Sequence, residues 1–199
     1  TTGGMDNNTS AGSYDTFLLK YNSSGTKQWT KQLGTSGNDF AYGVATDSSA
    51  NVYVTGYTEG GMDSNTSAGS FDIFVVKYDS SGTKQWTKQL GTAANDFAYG
   101  VVTDSSANVY VTGNTGGGLD GNSSAGNTDI FVLKYDSSGT KQWTKQLGTS
   151  DNDSATGVAT DSSGNVYVTG YTDGGLDGNT SAGGRDLFVV KYNSSGTKQ

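Results

Sequence analysis

Four times along this chain an aspartate, an asparagine and a serine occupy alternate positions, with a second aspartate five residues further on. The sets are Asp6, Asn8, Ser10 and Asp15; Asp63, Asn65, Ser67 and Asp72; Asp120, Asn122, Ser124 and Asp129; and Asp177, Asn179, Ser181 and Asp186. Oxygen side chains at the first, third and fifth positions of a glycine-containing loop form a donor set for Ca²⁺, a hard cation that takes oxygen ligands. The pattern departs from an EF-hand-type loop, which wants Gly at six and a bidentate Glu at twelve. Here Ala68 and Phe74 hold those places. The alternative is a loop whose Asp and Asn side chains bond its own backbone in Asx-turns.

A second set comprises Asp39, Asp96 and Asp153, each preceded by asparagine. Such carboxylates could ring a channel mouth and hold a cation or polar ligand, or cap backbone amides in a turn. A third is Trp29, Trp86 and Trp143, with Tyr42, Tyr53, Tyr99 and Tyr110. Aromatic faces beside polar groups stack on sugars, so surface glycans are candidate partners; the same rings also serve as packing. Catalysis finds little support: the chain has no His, no Cys and no phosphate-binding Gly-Lys-Ser loop.

These residues must be positioned by a repeat. Trp29, Trp86 and Trp143 are spaced by a constant 57 residues, and no gap is needed to keep the surrounding letters in register. A period of that size marks a repeat architecture. Each unit holds four runs rich in β-branched and aromatic residues: in the second, Phe40 to Asp47, Asn51 to Thr58, Asp72 to Asp79, and Thr83 to Leu90. Asp47-Ser-Ser-Ala-Asn51 and Asp79-Ser-Ser-Gly82 are tight-turn chemistry, with Gly or Asn expected at positive φ. The first three runs carry apolar groups on both faces, as doubly buried strands do. The fourth alternates Lys84, Trp86 and Lys88 with Gln85, Thr87 and Gln89, the make-up of an outer strand.

Four antiparallel strands per unit predict an all-β chain built as blades of a β-propeller. The string D-x-F-V-x-K-Y-D-S-S-G, then W, then A-Y-G-V-A-T-D-S-S-G-N-V-Y-V-T-G resembles the bacterial SBBP-type β-propeller repeat over essentially the whole chain. That resemblance implies GVATD innermost, then NVYVTG, DIFVVKYD and KQWTKQL, in proteins of the cell surface or exterior. The expected division is a partial blade 1–37, blades 38–94 and 95–151, and a partial blade 152–199. Three and a half blades are too few for a closed ring of four to eight. Two copies would bring the number to seven, or the chain is a segment of a longer array, as its start at TTGG rather than Met also suggests.

A net charge of −7 with dispersed lysines speaks against nucleic acid and anionic membrane surfaces. No apolar run approaches the roughly 20 residues of a membrane-spanning helix. The expected function is a non-catalytic extracellular scaffold that displays repeated loops and self-assembles as ring or filament, by completing partial blades between chains. The alternative is a ligand-binding propeller, for carbohydrate or for calcium.

Overall fold

A computed structural model describes all of the chain, Thr1–Gln199. Its thirteen strands form four antiparallel sheets. The first holds β1 (Thr16–Tyr21) and β2 (Lys27–Leu33). The second runs β3 (Asp39–Thr46), β4 (Val52–Thr58), β5 (Asp72–Tyr78), β6 (Lys84–Leu90) in spatial order. The third repeats that order with β7 (Asp96–Thr103), β8 (Val109–Thr115), β9 (Asp129–Tyr135) and β10 (Lys141–Leu147). The fourth has β11 (Asp153–Thr160), β12 (Val166–Thr172) and β13 (Asp186–Tyr192). Each sheet is a meander in sequence order, because every connection is short enough to return the chain beside the strand it left. The meander also sorts the loops. The β4–β5 and β6–β7 connections share one end of the sheets, and the tight Asp47 and Asp79 turns share the other.

The core lies between sheets rather than within them. Tyr53, Ile73 and Val75 of the second sheet meet Ala98, Val109, Val111, Phe131, Leu133 and Tyr135 of the third. Tyr110, Ile130 and Val132 on the reverse of the third meet Val166, Val168, Phe188 and Val190 of the fourth. Leu18, Trp29 and Leu33 cover the first side of the second sheet, over Val52, Val54, Phe74 and Val76. Alternate side chains of one strand thus enter two different cores, which is why β4 and β5 read as apolar on both faces. The first strands of successive sheets stand side by side: Thr103 Oγ1 donates to the Thr46 carbonyl at 2.9 Å, and Thr160 Oγ1 to that of Thr103 at 3.1 Å. This is blade-by-blade propeller stacking.

Several expectations need correction. The innermost strand is not buried on both sides in the second sheet: Tyr42 is 55 % and Val44 62 % exposed, because the two-stranded first sheet has no inner strand to stand beside β3, whereas Tyr99 and Val101 of β7 are half-buried. The positive φ of the first turn belongs to Ala50 and Ala107 (φ 58° in both), not to asparagine. Asn51 instead donates its amide to Asp47 Oδ2 at 2.8 Å. The long loop contains a 3₁₀ turn in three blades, Met62–Ser64, Leu119–Gly121 and Leu176–Gly178.

Both outer faces of the stack are apolar. Leu187 and Val189 on the fourth sheet occupy the places of Ile73 and Val75, yet are 84 % and 68 % exposed. Beside them lies a hollow of about 410 Å³ lined by Leu147, Leu176 and Asp186 among others. On the first sheet Phe17 and Tyr21, counterparts of the buried Phe74 and Tyr78, face solvent.

Candidate functional site

The structure sends the four oxygen-rich loops to partners of their own rather than to one common point. Asp63 lies at φ 50° in the 3₁₀ turn, and its two carboxylate oxygens accept from Lys84 and Thr87 on the outer strand. Asp120 does the same with Lys141 and Thr144, while Asp6 accepts from both Lys27 and Thr30 on its Oδ2. Asp177 pairs with Lys198. Burial pushes the Asp120 carboxyl up, but the hydrogen bonds and charge of Lys141 outweigh it and hold it below the ordinary range. The Asn65 amide donates to the Met62 carbonyl at 2.7 Å, and Ser67 Oγ to that of Gly69 at 3.1 Å. Asn8, Asn122 and Asn179 repeat the first of these bonds, and Ser10 and Ser124 the second. Ser181 turns instead to Asp186 Oδ2 at 3.0 Å.

The second aspartate of each loop anchors it from within. Asp72 is fully buried, and its Oδ2 accepts from Ala68 N at 2.7 Å and from Gln89 Nε2 at 2.8 Å. Asp15 and Asp129 bond Gln32 and Gln146 likewise, and Asp186 accepts from Ala182 N. The Asp72 Oδ1 has no hydrogen-bond partner and lies against the Cα of Gly91; a Cβ there would approach it to 1.9 Å. No group of three acidic side chains comes together in the structure.

Asp39, Asp96 and Asp153 enter the sheets as turn anchors and are at most 1 % exposed. Each accepts a 2.6 Å bond from the amide of Thr35, Thr92 or Thr149. Burial pushes the Asp39 and Asp96 carboxyls above the ordinary range; threonine hydrogen bonds pull them partly back, and Asp15 or Asp72 alongside adds to the rise. None of the three presents its carboxylate to the centre of the array.

The tryptophans build joints between sheets. Trp86 packs on Tyr53 of its own sheet and Tyr135 of the next, at ring separations of 6.0 and 6.4 Å. Its Nε1 donates to the Ser137 carbonyl in the β9–β10 turn at 3.4 Å. Lys77 reaches the same carbonyl at 2.8 Å while lying over the Tyr53 ring. The turn can come this close because Gly139, at φ 82°, has no side chain; a Cβ would stand about 3.0 Å from Trp86. Trp29 with Lys20 holds Ser80 in this way, and Trp143 with Lys134 holds Ser194.

One assembly was only partly visible in the sequence, an aromatic cluster at the loop-rich inner rim. Tyr14 stacks on Phe40 at 5.7 Å, and Phe40 leans on Tyr57 at 5.3 Å. Tyr42 stacks on Tyr57 at 5.3 Å with their hydroxyls 3.0 Å apart. Phe97, from the next sheet, meets Tyr57 at 4.6 Å, and Tyr99 meets Tyr42 edge-on at 5.6 Å. Burial pushes the Tyr57 hydroxyl up, and the bond to Tyr42 adds to the rise. A hollow of about 190 Å³ opens beside Tyr14 and Phe40. Glu59 accepts from the backbone and side-chain amides of Asn38 at 2.8 and 2.7 Å on this rim.

The family model for the SBBP β-propeller repeat matches residues 28–61, 85–120 and 142–177, more than half of the chain. The chain belongs to the SBBP β-propeller repeat family. Each match spans the outer strand of one SBBP blade and the inner pair of the next, with the joint between them. The SBBP chain is also 28 % identical over 205 residues to an uncharacterized WD repeat-containing protein, L264, of Acanthamoeba polyphaga mimivirus. That alignment covers 83 % of this chain and 15 % of the relative. The regulatory protein FlaEY of Caulobacter vibrioides is 28 % identical over 218 residues, covering 96 % of this chain and 23 % of its own length. The SBBP chain therefore spans less than a quarter of either relative. No helix in it is long and apolar enough to cross a membrane.

Proposed function

We propose that this SBBP chain is a non-catalytic structural module of the cell surface or exterior, whose copies associate head to tail through the apolar outer faces of the stack. The observation that carries the reading is the joint. One geometry of Lys, Trp and turn is used three times in succession, always joining one side of a sheet to the opposite side of the next. Leu187 and Val189 offer the first of those sides in the 199-residue chain, and Phe17 and Tyr21 the second. A contact the chain makes repeatedly within itself is available between two copies of it. A heterologous joint of this kind gives a ring if it closes and a filament if it does not. Exposed apolar surface of this sort marks an interaction face.

The absence of catalysis is part of the proposal. The buried carboxylates are bound to threonine, glutamine or backbone donors, which serves turn and loop anchoring. Display of identical loops on a rigid stack supports avidity from individually weak contacts.

Multi-angle light scattering of the 199-residue chain over a concentration series tests the reading. Association that rises with concentration is expected, and the double variant Leu187→Asp, Val189→Asp is expected to run as a monomer. A wild type that stays monomeric throughout, or a double variant that associates equally, would overturn it.

A further inference from the structure

We propose that the aromatic rim around Tyr42 and Tyr57 is a binding site for a neutral carbohydrate chain, a role that goes beyond the scaffold reading and does not rest on it.

The first argument is where the copies differ. The outer-strand string KQWTKQLGT is identical in all three of its occurrences. At the rim the same comparison gives changes of chemistry. Phe40 and Phe97 correspond to Ser154, and Tyr42 and Tyr99 to Thr156. Tyr14 and Phe71 correspond to Thr128 and Arg185, and Glu59 to Gly116 and Asp173. The rings of Phe40 and Tyr42 have no counterpart in the fourth blade, where Asn114, at the place of Tyr57, donates to Ser154 Oγ at 3.1 Å and replaces the Tyr57–Phe97 contact, and the sheets still stack. The rings form a localised feature of two blades out of four.

The second argument is what the rings offer. Tyr14 and Tyr42 are 47 % and 55 % exposed; Tyr14 stacks on Phe40, and Tyr42 stacks on Tyr57 and meets Tyr99 edge-on. Adjacent ring planes with phenol hydroxyls at their edges suit a molecule with an apolar C–H face and a hydroxylated edge, which describes a sugar ring. Glu59 supplies an acceptor on the same rim.

Charge then narrows the ligand. All eleven lysines lie on the third and fourth strands of the sheets or at the equivalent of the fourth, away from the rim. The single arginine, Arg185, is engaged by Asp173 at 3.3 Å and lies over Tyr171 at 4.2 Å. A phosphate, sulfate or uronate would find no lysine there and an arginine already paired. A quaternary cation favours several rings facing one point, whereas Tyr42 and Tyr57 lie nearly parallel, 21° apart, and turn their faces to each other.

Affinity electrophoresis of the full chain in native gels containing hydroxyethyl cellulose, mannan, xyloglucan or dextran tests the site. Retardation by at least one polymer is expected. Tyr42→Thr, which writes the fourth blade's residue into the second, should weaken it by about tenfold or more, as loss of a stacking platform predicts. Tyr42→Phe keeps the ring and should retain most of the retardation, so a poorly folded threonine variant does not shelter the proposal. Ser49→Ala, in the turn at the far end of the sheet, should match wild type. Retardation by none of the four polymers overturns the proposal, as does equal retardation of Tyr42→Thr. Binding of choline or a proline-rich peptide with no polysaccharide effect overturns it in favour of a different ligand.

Discussion

The outer joint and the inner rim of this molecule are both aromatic, and they are built on opposite rules. At the outer joint Trp86, Lys77 and Gly139 fit so closely that a single methyl group on the glycine would strike the indole. Each partner comes from a different blade position, and the same three residue types recur at Trp29, Lys20 and Gly82, and at Trp143, Lys134 and Gly196. At the rim the rings touch mainly one another, Tyr14 and Tyr42 are about half exposed, and one blade has Ser154 and Thr156 in place of two of them. Aromatics used for packing are fixed by every neighbour at once. Aromatics whose loss leaves the stack intact are free to answer to something outside it.

The sharpest way to break this contrast is to remove one ring from each region. Trp86→Ala deletes a half-buried indole between two blades and should cost about 2–4 kcal/mol, towards the lower end for a ring of that size. Tyr42→Thr should cost under about 1 kcal/mol, because the ring is more than half exposed and its area contributes accordingly. Urea unfolding monitored by circular dichroism reads both. Equal losses would mean that the rim is structural, and the carbohydrate argument would lose its footing.

Much of this contrast was legible in the letters, for a reason particular to repeats. The period of 57 residues and the four β-type runs gave the blades, the alternation of Lys and Trp with Gln and Thr gave the outer position of the tryptophan strand, and the resemblance to the SBBP repeat gave the full strand order. Invariance, however, hides partners. Asp63 meets Lys84 and Thr87 across the blade, and Asp6 and Asp120 meet the same residue types at the same separations. Nothing in identical copies says which constant residue touches which, so the Lys and Thr partners of the loop aspartates were not legible in the letters. The lapse from Phe40 and Tyr42 to Ser154 and Thr156 was visible as a paired change. That pairing was the available signal for the rim, although the contribution of Tyr14 and Tyr57 to it required the fold. Asn51 misled for a different reason: Asn tolerates positive φ, but here its side chain was already committed to Asp47 and the strain passed to Ala50.

That strain supplies an intermediate test, and the molecule has already performed half of it. Ala107 sits at φ 58°, where an L side chain crowds the following carbonyl, while the fourth blade has Gly164 at φ 75° in the same turn. Ala107→Gly should stabilise the chain by up to about 1 kcal/mol, the gain from relieving left-handed strain less the added freedom of glycine in the unfolded state. The midpoint of urea unfolding should rise without a change in slope. A destabilised variant would show that the Ala107 methyl group packs usefully despite its backbone, and would place this turn with the tightly fitted outer joint.

The smallest expected effect concerns the loops that first suggested a metal. Calcium at Asp63 would have to compete with both the Lys84 ammonium and the Thr87 hydroxyl, while Asn65 Nδ2 and Ser67 Oγ are oriented as donors to the backbone of their own loop. A ligand stabilises a fold only through its affinity for the folded form. Melting temperatures in EDTA and in millimolar calcium chloride should therefore agree to within about 1 °C, a difference worth only a few tenths of a kcal/mol for a chain of this size. Lys84→Ala sharpens the point, because it frees one carboxylate and leaves the rest of the loop in place. If calcium raised the melting temperature of this variant alone, the lysine would be what closes the loop to metal. If it raised that of the wild type as well, the loop would be able to open and exchange its internal donors for an ion, and the outer half of each blade would prove less rigidly committed than the joint beside it.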